Sequence, residues 1–355
     1  MGGLGLEDNE TRRLGEAADK IVTWCAENRR PLPWRCDPSP YHVWVSEIML
    51  QQTRIETVVP YYLRFLEAFP SVEALAAAPE EQVLKLWEGL GYYSRARRLR
   101  QAAEKIVAEY GGALPRTADE LCRLPGIGRY TAGAIASMAY GEPEPAVDGN
   151  VLRVLARLFA SEEDVLSPSV QKKAAEKLRQ IYPTGSDASL LTEGLMELGE
   201  IICIPNGEPV CALCPIASLC LAREKGIQNR LPVRRGARVR RIEEKTILLL
   251  NCGDLYAIRK REGKGLLAGM WEFPSLPGVL SSEALRSRLT EDGITPLSIV
   301  PCGEAEHIFT HIEWHMVGYR VLLDMPVTGY VFETADAIRA AYAVPSAFRF
   351  FLDRL

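Results

Sequence analysis

Apolar positions in the first two thirds of the chain recur at helical spacing. From residue 10 to about residue 222, apolar side chains return every three or four positions, as on one face of an amphipathic helix. Pro and Gly residues separate these stretches. The pattern predicts a compact all-α unit with helices near 10–27, 41–54, 57–68, 80–89, 95–109, 118–123, 129–140, 150–160, 168–182 and 188–201.

The pattern changes near Thr246. The runs TILLLN, DLYAIRK and IEWHMVGYRVLLD predict strands, and helical stretches lie near 282–290, 335–341 and 346–353. Residues 223–243 are polar and Arg-rich without periodicity, as in a connector between domains. The chain is therefore expected to contain an all-α domain over 8–222, a basic connector over 223–243 and an α+β domain over 244–355.

Composition narrows the class of protein. The 355 residues are long for one core, and 47% hydrophobic with 25% charged residues is ordinary for a globular protein. No apolar run is long enough to span a bilayer, and the first residues lack the apolar core of a signal peptide. We expect a cytoplasmic monomer without a membrane partner.

Net charge does not by itself indicate a nucleic-acid partner, because the total is −4. Affinity for phosphates depends on local clusters of basic residues instead. Such runs also occur on solvated faces, so they support DNA binding only weakly. The clusters are Arg95, Arg97, Arg98 and Arg100, and then Arg230, Arg234, Arg235, Arg238, Arg240 and Arg241.

Four of the nine cysteines share one short loop, residues 203–220, at the end of the helical domain. Structural zinc sites usually show two close cysteine pairs, whereas this loop has one close pair and two single residues. The spacing favours an iron–sulfur cubane over zinc, and unliganded thiols rank third. The expected ligands are Cys203, Cys211, Cys214 and Cys220; the expected packing residues are Cys25, Cys36, Cys122, Cys252 and Cys302.

The stretch Leu121–Asn150 joins a Pro-Gly-x-Gly turn, an Ala/Gly-rich helix and an Asp-Gly-Asn. Gly126 and Gly128 leave the turn without bulky side chains, so that backbone N–H groups at the next helix start can approach a DNA phosphate. The alternative interpretation is an ordinary interhelical turn, with Asp148 as an ordinary helix cap.

Together these features resemble the helix-hairpin-helix DNA glycosylase superfamily and, within it, the MutY-type adenine glycosylases. The similarity runs in order along nearly the whole chain, and LLAGMWEFP at 266–274 is similar to the MutT-like domain of these enzymes. The other matching motifs are PWR at 33–35, WVSEIMLQQT at 44–53, GLGYYSRAR at 89–97, GRYTAGAIAS at 128–137 and VDGNVLRVLAR at 147–157.

The resemblance implies a fold and an activity. The fold is an all-α helix-hairpin-helix glycosylase domain with a [4Fe-4S] cluster in its four-Cys loop, followed by an α+β MutT-like (Nudix-like) domain. The activity is base excision repair: adenine mispaired with 8-oxoguanine or guanine in double-stranded DNA is flipped out and its N-glycosidic bond hydrolysed.

Such hydrolysis needs an acid for the departing base and a carboxylate facing the sugar cation. Glu47 lies among apolar residues, where desolvation would raise its pKa and keep it protonated. The alternative is an exposed polar stripe of Glu47, Gln51 and Arg54. Asp148, at a helix start, should stay ionised and stabilise the sugar carbon or bond to it. Asn150 would orient Asp148 or a water, or cap the helix.

Tyr130 predicts the reaction class. The resemblance implies that lyase-competent relatives carry a lysine there, so this chain should remove the base without efficient β-lyase activity. The resemblance also implies a monovalent or calcium ion where Gly126 and Gly128 meet phosphate. Its other implied roles are an adenine pocket of Trp34, Arg35, Leu50 and Glu193, wedges at Gln52 and Tyr92, DNA contacts beside 8-oxoguanine at Thr53 and Leu90, and 8-oxoguanine recognition by Phe309, Thr310 and His311.

The chain departs from the family pattern in two places. Thr310 stands where the family has serine, and the first cysteine gap, 204–210, is one residue longer than usual. The segment EALRSRLTEDGI lacks the arrangement of carboxylates that a hydrolytic MutT domain has in its Glu-rich metal-binding helix, which indicates a reader of the lesion. Two alternatives stay open: a glycosylase for another mispaired base, such as thymine opposite guanine, and an iron–sulfur DNA-binding or redox-sensing protein without catalysis.

Overall fold

The computed structural model describes residues 4–235 and 240–355, with side chains from residue 9 onward. The chain forms two compact units, Met1–Ala77 with Arg98–Gly236, and Ala78–Arg97 with Ala237–Leu355. The chain passes between them after residues 77 and 97 and again inside the predicted connector, of which residues 236–239, including Arg238, lie outside the described part. Residues 78–97, which periodicity assigns to the helical domain, group with the C-terminal residues.

Helices follow the predicted order through residue 197, and short helices at 33–36 and 72–77 escaped prediction. Within the described ranges, no helix combines the length and apolar character that a membrane crossing requires. In chain order the helices are α1 Leu4–Asn28, α2 Pro33–Cys36, α3 Pro40–Leu50, α4 Ile55–Ala68, α5 Val72–Ala77, α6 Glu80–Leu86, α7 Ser94–Tyr110, α8 Ala118–Leu121, α9 Arg129–Tyr140, α10 Gly149–Leu158, α11 Pro168–Arg179 and α12 Ser186–Glu197.

The first unit has its core where α12 packs against α1, α9 and α10. After α12 the chain continues as a π-helix, Leu198–Ile202, and enters the cysteine loop, where 3₁₀ turns occupy Cys211–Leu213 and Ala217–Leu219. A short helix, α13 Leu221–Glu224, then packs on α10. The cysteine loop is thereby held close to the helix that Asp148 caps.

The second unit is built on a seven-stranded mixed sheet with the path β3-β2-β1-β6-β5, to which β4 and β7 add beside β1 and β2. β1 and β6 run parallel, and the other pairs are antiparallel. The predicted α+β class is confirmed. The strands are β1 Arg241–Cys252, β2 Leu255–Lys260, β3 Trp271–Glu272, β4 Ser275–Pro277, β5 Ser298–Ile308, β6 Ile312–Leu322 and β7 Val331–Thr334; the helices are α14 Ser282–Glu291, α15 Ala335–Ala341 and α16 Arg349–Leu352.

The apolar run TILLLN is explained by burial on both sheet faces. Ile247 and Leu249 join one apolar cluster, while Leu248 and Leu250 join the other, because successive side chains of a strand point to opposite faces. A strand covered on both sides reads as continuous apolar sequence. Strand β1 was therefore predictable although its apolar and polar residues do not alternate.

Strand β5 escaped prediction for a physical reason. It lies at the sheet edge, where it pairs with β6 alone, and its register shifts between Pro301 and Gly303. Proline lacks the N–H that a central strand needs and is confined to edges and bulges. Most of its side chains are at least partly exposed, so no clear two-residue period marks the segment.

Residues 78–97 are bound to the rest of the second unit by specific contacts. The Lys85 Nζ donates to the backbone oxygens of Arg339 and Tyr342, at 2.6 and 3.0 Å. The Glu88 carboxylate accepts from the Val344 N–H at 3.1 Å. Because these bonds join residues far apart in sequence, helical periodicity alone could not assign residues 78–97 to the second unit.

Candidate active site

Glu47 is buried inside the first unit. It sits on α3, where every residue from Val43 to Met49 is buried, and only 3% of Glu47 is exposed. Burial raises its pKa to about 7, a nearby Asp148 charge adds to the rise, and a hydrogen bond from Tyr130 opposes it. The exposed-stripe alternative is excluded. The carboxyl group holds its proton close to neutral pH, as an acid catalyst needs.

Tyr130 lies in the first turn of α9 and contacts the acid directly. Its hydroxyl donates to the Glu47 Oε2 at 2.7 Å. Burial, followed by the charges of Glu47 and Asp148, raises the Tyr130 pKa well above its ordinary value. The phenol therefore stays protonated and acts as a donor between two carboxylates.

Asp148 is the N-cap of α10 as well as a candidate for catalysis. Its Oδ1 accepts from the Val151 N–H at 2.8 Å, and its Oδ2 accepts from the Asn150 Nδ2 at 2.9 Å. Burial nevertheless raises the Asp148 pKa above its ordinary value, against the opposing effect of these bonds. The expectation that the helix start dominates is corrected here: desolvation is the larger influence.

Asn150 links Asp148 to the cysteine loop through Arg153. The Arg153 Nη2 donates to the Asn150 Oδ1 at 2.7 Å and to the Gly199 oxygen at 2.6 Å, and its Nε donates to the Cys203 oxygen at 2.7 Å. Arg153 is only 2% exposed. Sequence pattern did not predict a role for Arg153, although an arginine inside the apolar run of α10 was a signal.

Two of the predicted adenine-pocket residues meet beside the acid. The Arg35 Nε lies 3.3 Å from the Glu193 Oε2, and the charges of both residues act on the Glu47 carboxyl in opposite directions. Trp34 packs edge-on against Tyr62, with ring centroids 5.3 Å apart.

Leu50 is the last residue of α3. It lies about one helical turn beyond Glu47 and is partly exposed. Its place in the adenine pocket, which the family resemblance implies, stays a prediction.

Both predicted wedges have left-handed backbones. Gln52, just after α3, has φ +60°, and Tyr92 in the second unit has φ +49°. They are two of four such non-glycine residues among those that the structure describes, beside Ala160 and Leu267. This conformation costs free energy and concentrates at functional sites. The turn at Gln52 follows the end of α3 at Leu50, four residues before the predicted end.

Of the two neighbours predicted beside 8-oxoguanine, one is accessible and one is not. Thr53 is partly exposed, and its N–H donates to the Leu50 oxygen at 3.2 Å. Leu90, in the second unit, is only 6% exposed. Its backbone N–H donates to the Trp87 oxygen at 3.1 Å, and its oxygen accepts from the Arg95 Nη2 at 3.3 Å, so the predicted DNA contact at Leu90 stays a prediction.

The two hairpin glycines serve different purposes. Gly126 has φ +78°, and a Cβ there would lie 2.8 Å from the Arg98 Cβ. Gly128 precedes α9 with an ordinary φ of −94°, and a Cβ there would meet nothing within 4 Å. Gly126 shapes the turn, whereas Gly128 leaves open space at the start of a twelve-residue helix.

The residues predicted to recognise 8-oxoguanine lie in the second unit, at the turn between β5 and β6. The Thr310 Oγ1 and the Tyr92 hydroxyl are 2.9 Å apart, and Phe309 packs against Trp314. Phe309, Thr310 and His311 line a cavity of about 470 Å³ together with Tyr92. The structure thus brings a predicted wedge and the predicted lesion loop into one cavity.

The four loop cysteines line one small cavity beside Arg157, whose Nη1 donates to the Cys203 Sγ at 3.2 Å. Burial raises the Cys214 pKa to about 12, and the charges of the other three add to it. Cys36, by contrast, is exposed, so its prediction as a packing residue was wrong.

The distances between these sulfurs bear on the kind of metal centre. Tetrahedral zinc would bring its sulfurs to about 3.8 Å from one another. In the part of the chain that the structure describes, the group with ligand atoms all within 4.8 Å is Glu306, Glu313 and His315 in the second unit. Among the described residues, the loop sulfurs form no such group.

Comparison with known proteins identifies similar families for both parts of the chain. Residues 45–183 match the HhH-GPD superfamily of base excision DNA repair proteins, and residues 246–354 match the NUDIX domain. An adenine DNA glycosylase of Rattus norvegicus is 35% identical, covering 86% of this chain and 70% of that protein. The Homo sapiens adenine DNA glycosylase is 36% identical, covering 87% and 67%.

Solved structures support the helical fold. A thermostable thymine-DNA glycosylase matches with a TM-score of 0.54 at 28% identity, covering 61% of this chain and 98% of that one. An endonuclease III–DNA complex matches with a TM-score of 0.51 at 25% identity, with the same coverage. Both similarities extend over the same share of the chain.

Proposed function

We propose, from the premise that this chain belongs to the adenine DNA glycosylases of the HhH-GPD superfamily, that it excises adenine opposite 8-oxoguanine or guanine in duplex DNA. One observation carries the proposal. A buried glutamate with a pKa of about 7 accepts a hydrogen bond from Tyr130, and a helix-capping aspartate acts on both by its charge.

The two carboxyl groups supply complementary chemistry. Glu47 gives its proton to N7 of adenine as the bond between the sugar C1′ and the base N9 breaks, and the bonding electrons leave with the base. Asp148 stabilises the sugar cation or bonds to C1′. A water oxygen then joins C1′ and one of the water's protons returns to Glu47; where Asp148 has bonded to C1′, that C–O bond breaks in the same step and its electrons return to the carboxylate. Asn150 keeps Asp148 oriented through its 2.9 Å bond.

Tyr130 supports a reaction that stops after base removal. A Schiff base requires an amine, and this position offers a protonated phenol hydrogen-bonded to the acid. The enzyme should leave an abasic strand intact until alkali cleaves it. Efficient trapping of the enzyme on its DNA by borohydride would show that a lysine elsewhere does lyase chemistry.

Recognition of 8-oxoguanine is proposed for the second unit. The cavity beside Thr310 and Tyr92 offers two hydroxyl groups, each able to donate or accept. The substitution of threonine for serine keeps the hydroxyl and adds a methyl group. The second unit would read the lesion opposite adenine without hydrolysing a nucleotide.

The four loop cysteines are proposed to hold a [4Fe-4S] cluster. Their shared cavity and their spacing in the sequence support a cubane, and the cluster would fix the loop that Arg153 contacts. We also propose a monovalent or calcium ion at the contact between phosphate and the Gly126–Gly128 turn. About four iron atoms per chain in metal analysis would support the cluster, and about one zinc atom would overturn it.

The decisive assay uses three duplexes, with adenine opposite 8-oxoguanine, adenine opposite guanine and thymine opposite guanine. We expect alkali-dependent cleavage at adenine, with a rate constant that falls about tenfold per pH unit above about pH 7 as Glu47 ionises. Release of thymine alone would favour a thymine glycosylase. Equal rates for the wild type and Glu47→Gln would show that this site does not catalyse base release.

A further inference from the structure

Glu197 is a fully buried carboxylate that the reaction chemistry above does not use. It ends α12 with 0% exposure. It accepts from the Arg30 Nη2 at 2.9 Å, from the Arg35 Nη2 at 2.9 Å and from the Arg30 backbone N–H at 3.3 Å. Burial alone would raise its pKa, but the bonds from the two arginines outweigh burial, so the pKa lies below its ordinary value.

Stability alone gives weak grounds for such a group. Two buried charges lose hydration that their attraction barely repays, and apolar residues of similar volume often serve a core better. A buried carboxylate between two arginines therefore suggests that it holds one of these arginines in a position needed for function. Arg35 is the arginine that also reaches the predicted adenine pocket.

Each nitrogen of the Arg35 guanidinium lies close to a different oxygen. Nη2 binds Glu197 at 2.9 Å, Nη1 binds the Arg30 oxygen at 3.1 Å, and Nε is 3.3 Å from Glu193. Without Glu197 the guanidinium could turn to form a bidentate pair with Glu193. Glu193 already accepts from the Arg29 Nη1, at 3.1 Å to Oε1 and 3.0 Å to Oε2, so that pair would place a second arginine across the carboxylate proposed to contact adenine.

We infer that Glu197 is a positioning residue for adenine excision: it holds Arg35 away from a bidentate pair with Glu193 and balances the positive charge beside Glu47. The inference rests on the proposed function. It assigns a role in the pocket to a residue four positions after Glu193 on the same helix face.

The balance of charge makes the role measurable. The groups that act on Glu47 are Tyr130 from α9, Asp148 before α10, Arg35 from α2 and Glu193 from α12. Of these, Tyr130 and Arg35 favour the ionised acid. Removing the negative charge of Glu197 leaves the positive charge of Arg35 less compensated, so Glu47 should lose its proton at lower pH.

The test compares Glu197→Gln with Glu200→Gln. Glu200 makes a matched control, because it binds the same Arg30 at 2.8 Å through a side chain that is 38% exposed. Single-turnover release of adenine opposite 8-oxoguanine is measured from about pH 5.5 to about pH 9. Affinity is measured on a duplex whose adenosine carries a 2′-fluorine, which resists cleavage.

For Glu197→Gln we expect about a tenfold slower release at pH 7 and an upper pH midpoint about one unit lower, with DNA affinity within about threefold of the wild type. Glu200→Gln should match the wild type. A wild-type rate and midpoint in Glu197→Gln, or an equal loss in Glu200→Gln, would overturn the inference.

A second variant covers the case in which Glu197→Gln does not fold. Glu197→Asp keeps the charge but shortens the reach, so release should slow while the pH midpoint stays where the wild type has it. An unchanged rate would overturn the inference. If the wild type itself releases no adenine, the proposed function fails. If the wild type releases adenine and the Glu197 variants release it equally well, the positioning role alone fails.

Discussion

At the scale of single residues, Glu47 and Asp148 both have raised pKa values, but their different hydrogen bonds suit them to different roles. Glu47 accepts one bond, from the Tyr130 hydroxyl, whereas Asp148 accepts from a backbone N–H and from Asn150. Bonds to the charged form favour ionisation. Asp148 should therefore ionise first and Glu47 keep its proton, which is the division that glycosidic hydrolysis requires.

Glu47 should cost stability where it ionises. Its pKa is about 7 in the folded chain against an ordinary 4.5, so its favourable contribution is complete below about pH 4.5 and is lost as the pH rises through about 7. Glutamine has no such loss. We expect Glu47→Gln to have a free energy of unfolding about 2 kcal/mol above the wild type at pH 8.

Urea denaturation at pH 8 and near pH 5 checks this expectation. The advantage of Glu47→Gln should shrink toward zero at the lower pH, because the wild-type carboxyl group is then protonated. The same difference at both pH values would contradict an origin in the ionisation of Glu47.

Substitutions can distinguish the role of Asp148 as a helix cap from its proposed role in catalysis. Asparagine caps helices about as well as aspartate, so Asp148→Asn should melt near the wild-type temperature yet release adenine at least about 100-fold more slowly. Asp148→Ala should also lose about 1 kcal/mol of stability. Thermal melting and single-turnover release together test the separation, and near-normal release by Asp148→Asn would refute it.

At the scale of elements, turns do more than connect helices. The chain turns sharply after α3 at Gln52 and, in the second unit, at Tyr92, both in left-handed conformations. The 125–128 turn joins α8 to α9 and also precedes the open start of α9. Local backbone shape therefore presents the residues that DNA would contact.

The two hairpin glycines should respond differently to alanine. Gly126→Ala must adopt a left-handed φ and displace Arg98, so it should lose about 1–3 kcal/mol of stability. Gly128→Ala meets open space, so its stability should stay within about 0.5 kcal/mol of the wild type while DNA binding weakens. Urea denaturation and DNA titration distinguish them; unchanged DNA affinity in Gly128→Ala would contradict a phosphate contact there.

At the scale of the whole molecule, two units with separate cores make up one chain. The first buries its apolar helix faces around α12, and the second buries both faces of a mixed sheet. Separate cores are expected to unfold separately. Because the overall charge is −4, any DNA affinity should come from the local basic runs.

Cys214→Ser tests the cluster and the separation of the units together. It removes one expected ligand, so the first unit should melt at a lower temperature while the transition of the second unit stays unchanged. Cys252→Ser, in the second unit, is the control and should retain the iron content. Calorimetry beside metal analysis checks the result, and an unaltered first transition with full iron would contradict ligation by Cys214.

The sequence by itself determined what depends on neighbouring residues. Helical period, the apolar run of β1, the cap at Asp148 and the spacing of four cysteines are all local patterns, and the order of motifs identified the family. The helices and the mixed α+β domain were predictable for that reason. Edge strand β5 was not, because its pairing partner supplies the order that its own sequence lacks.

Only the tertiary structure decided the electrostatics of the site. The Tyr130–Glu47 bond joins residues 83 positions apart, and the Arg30–Glu197 pair joins residues 167 positions apart. A pKa depends on burial and on every charge nearby, so the value for Glu47 and the direction for Asp148 required all the surrounding helices. The roles of Arg153 and Glu197 likewise exist only where α10 and α12 bring distant residues together.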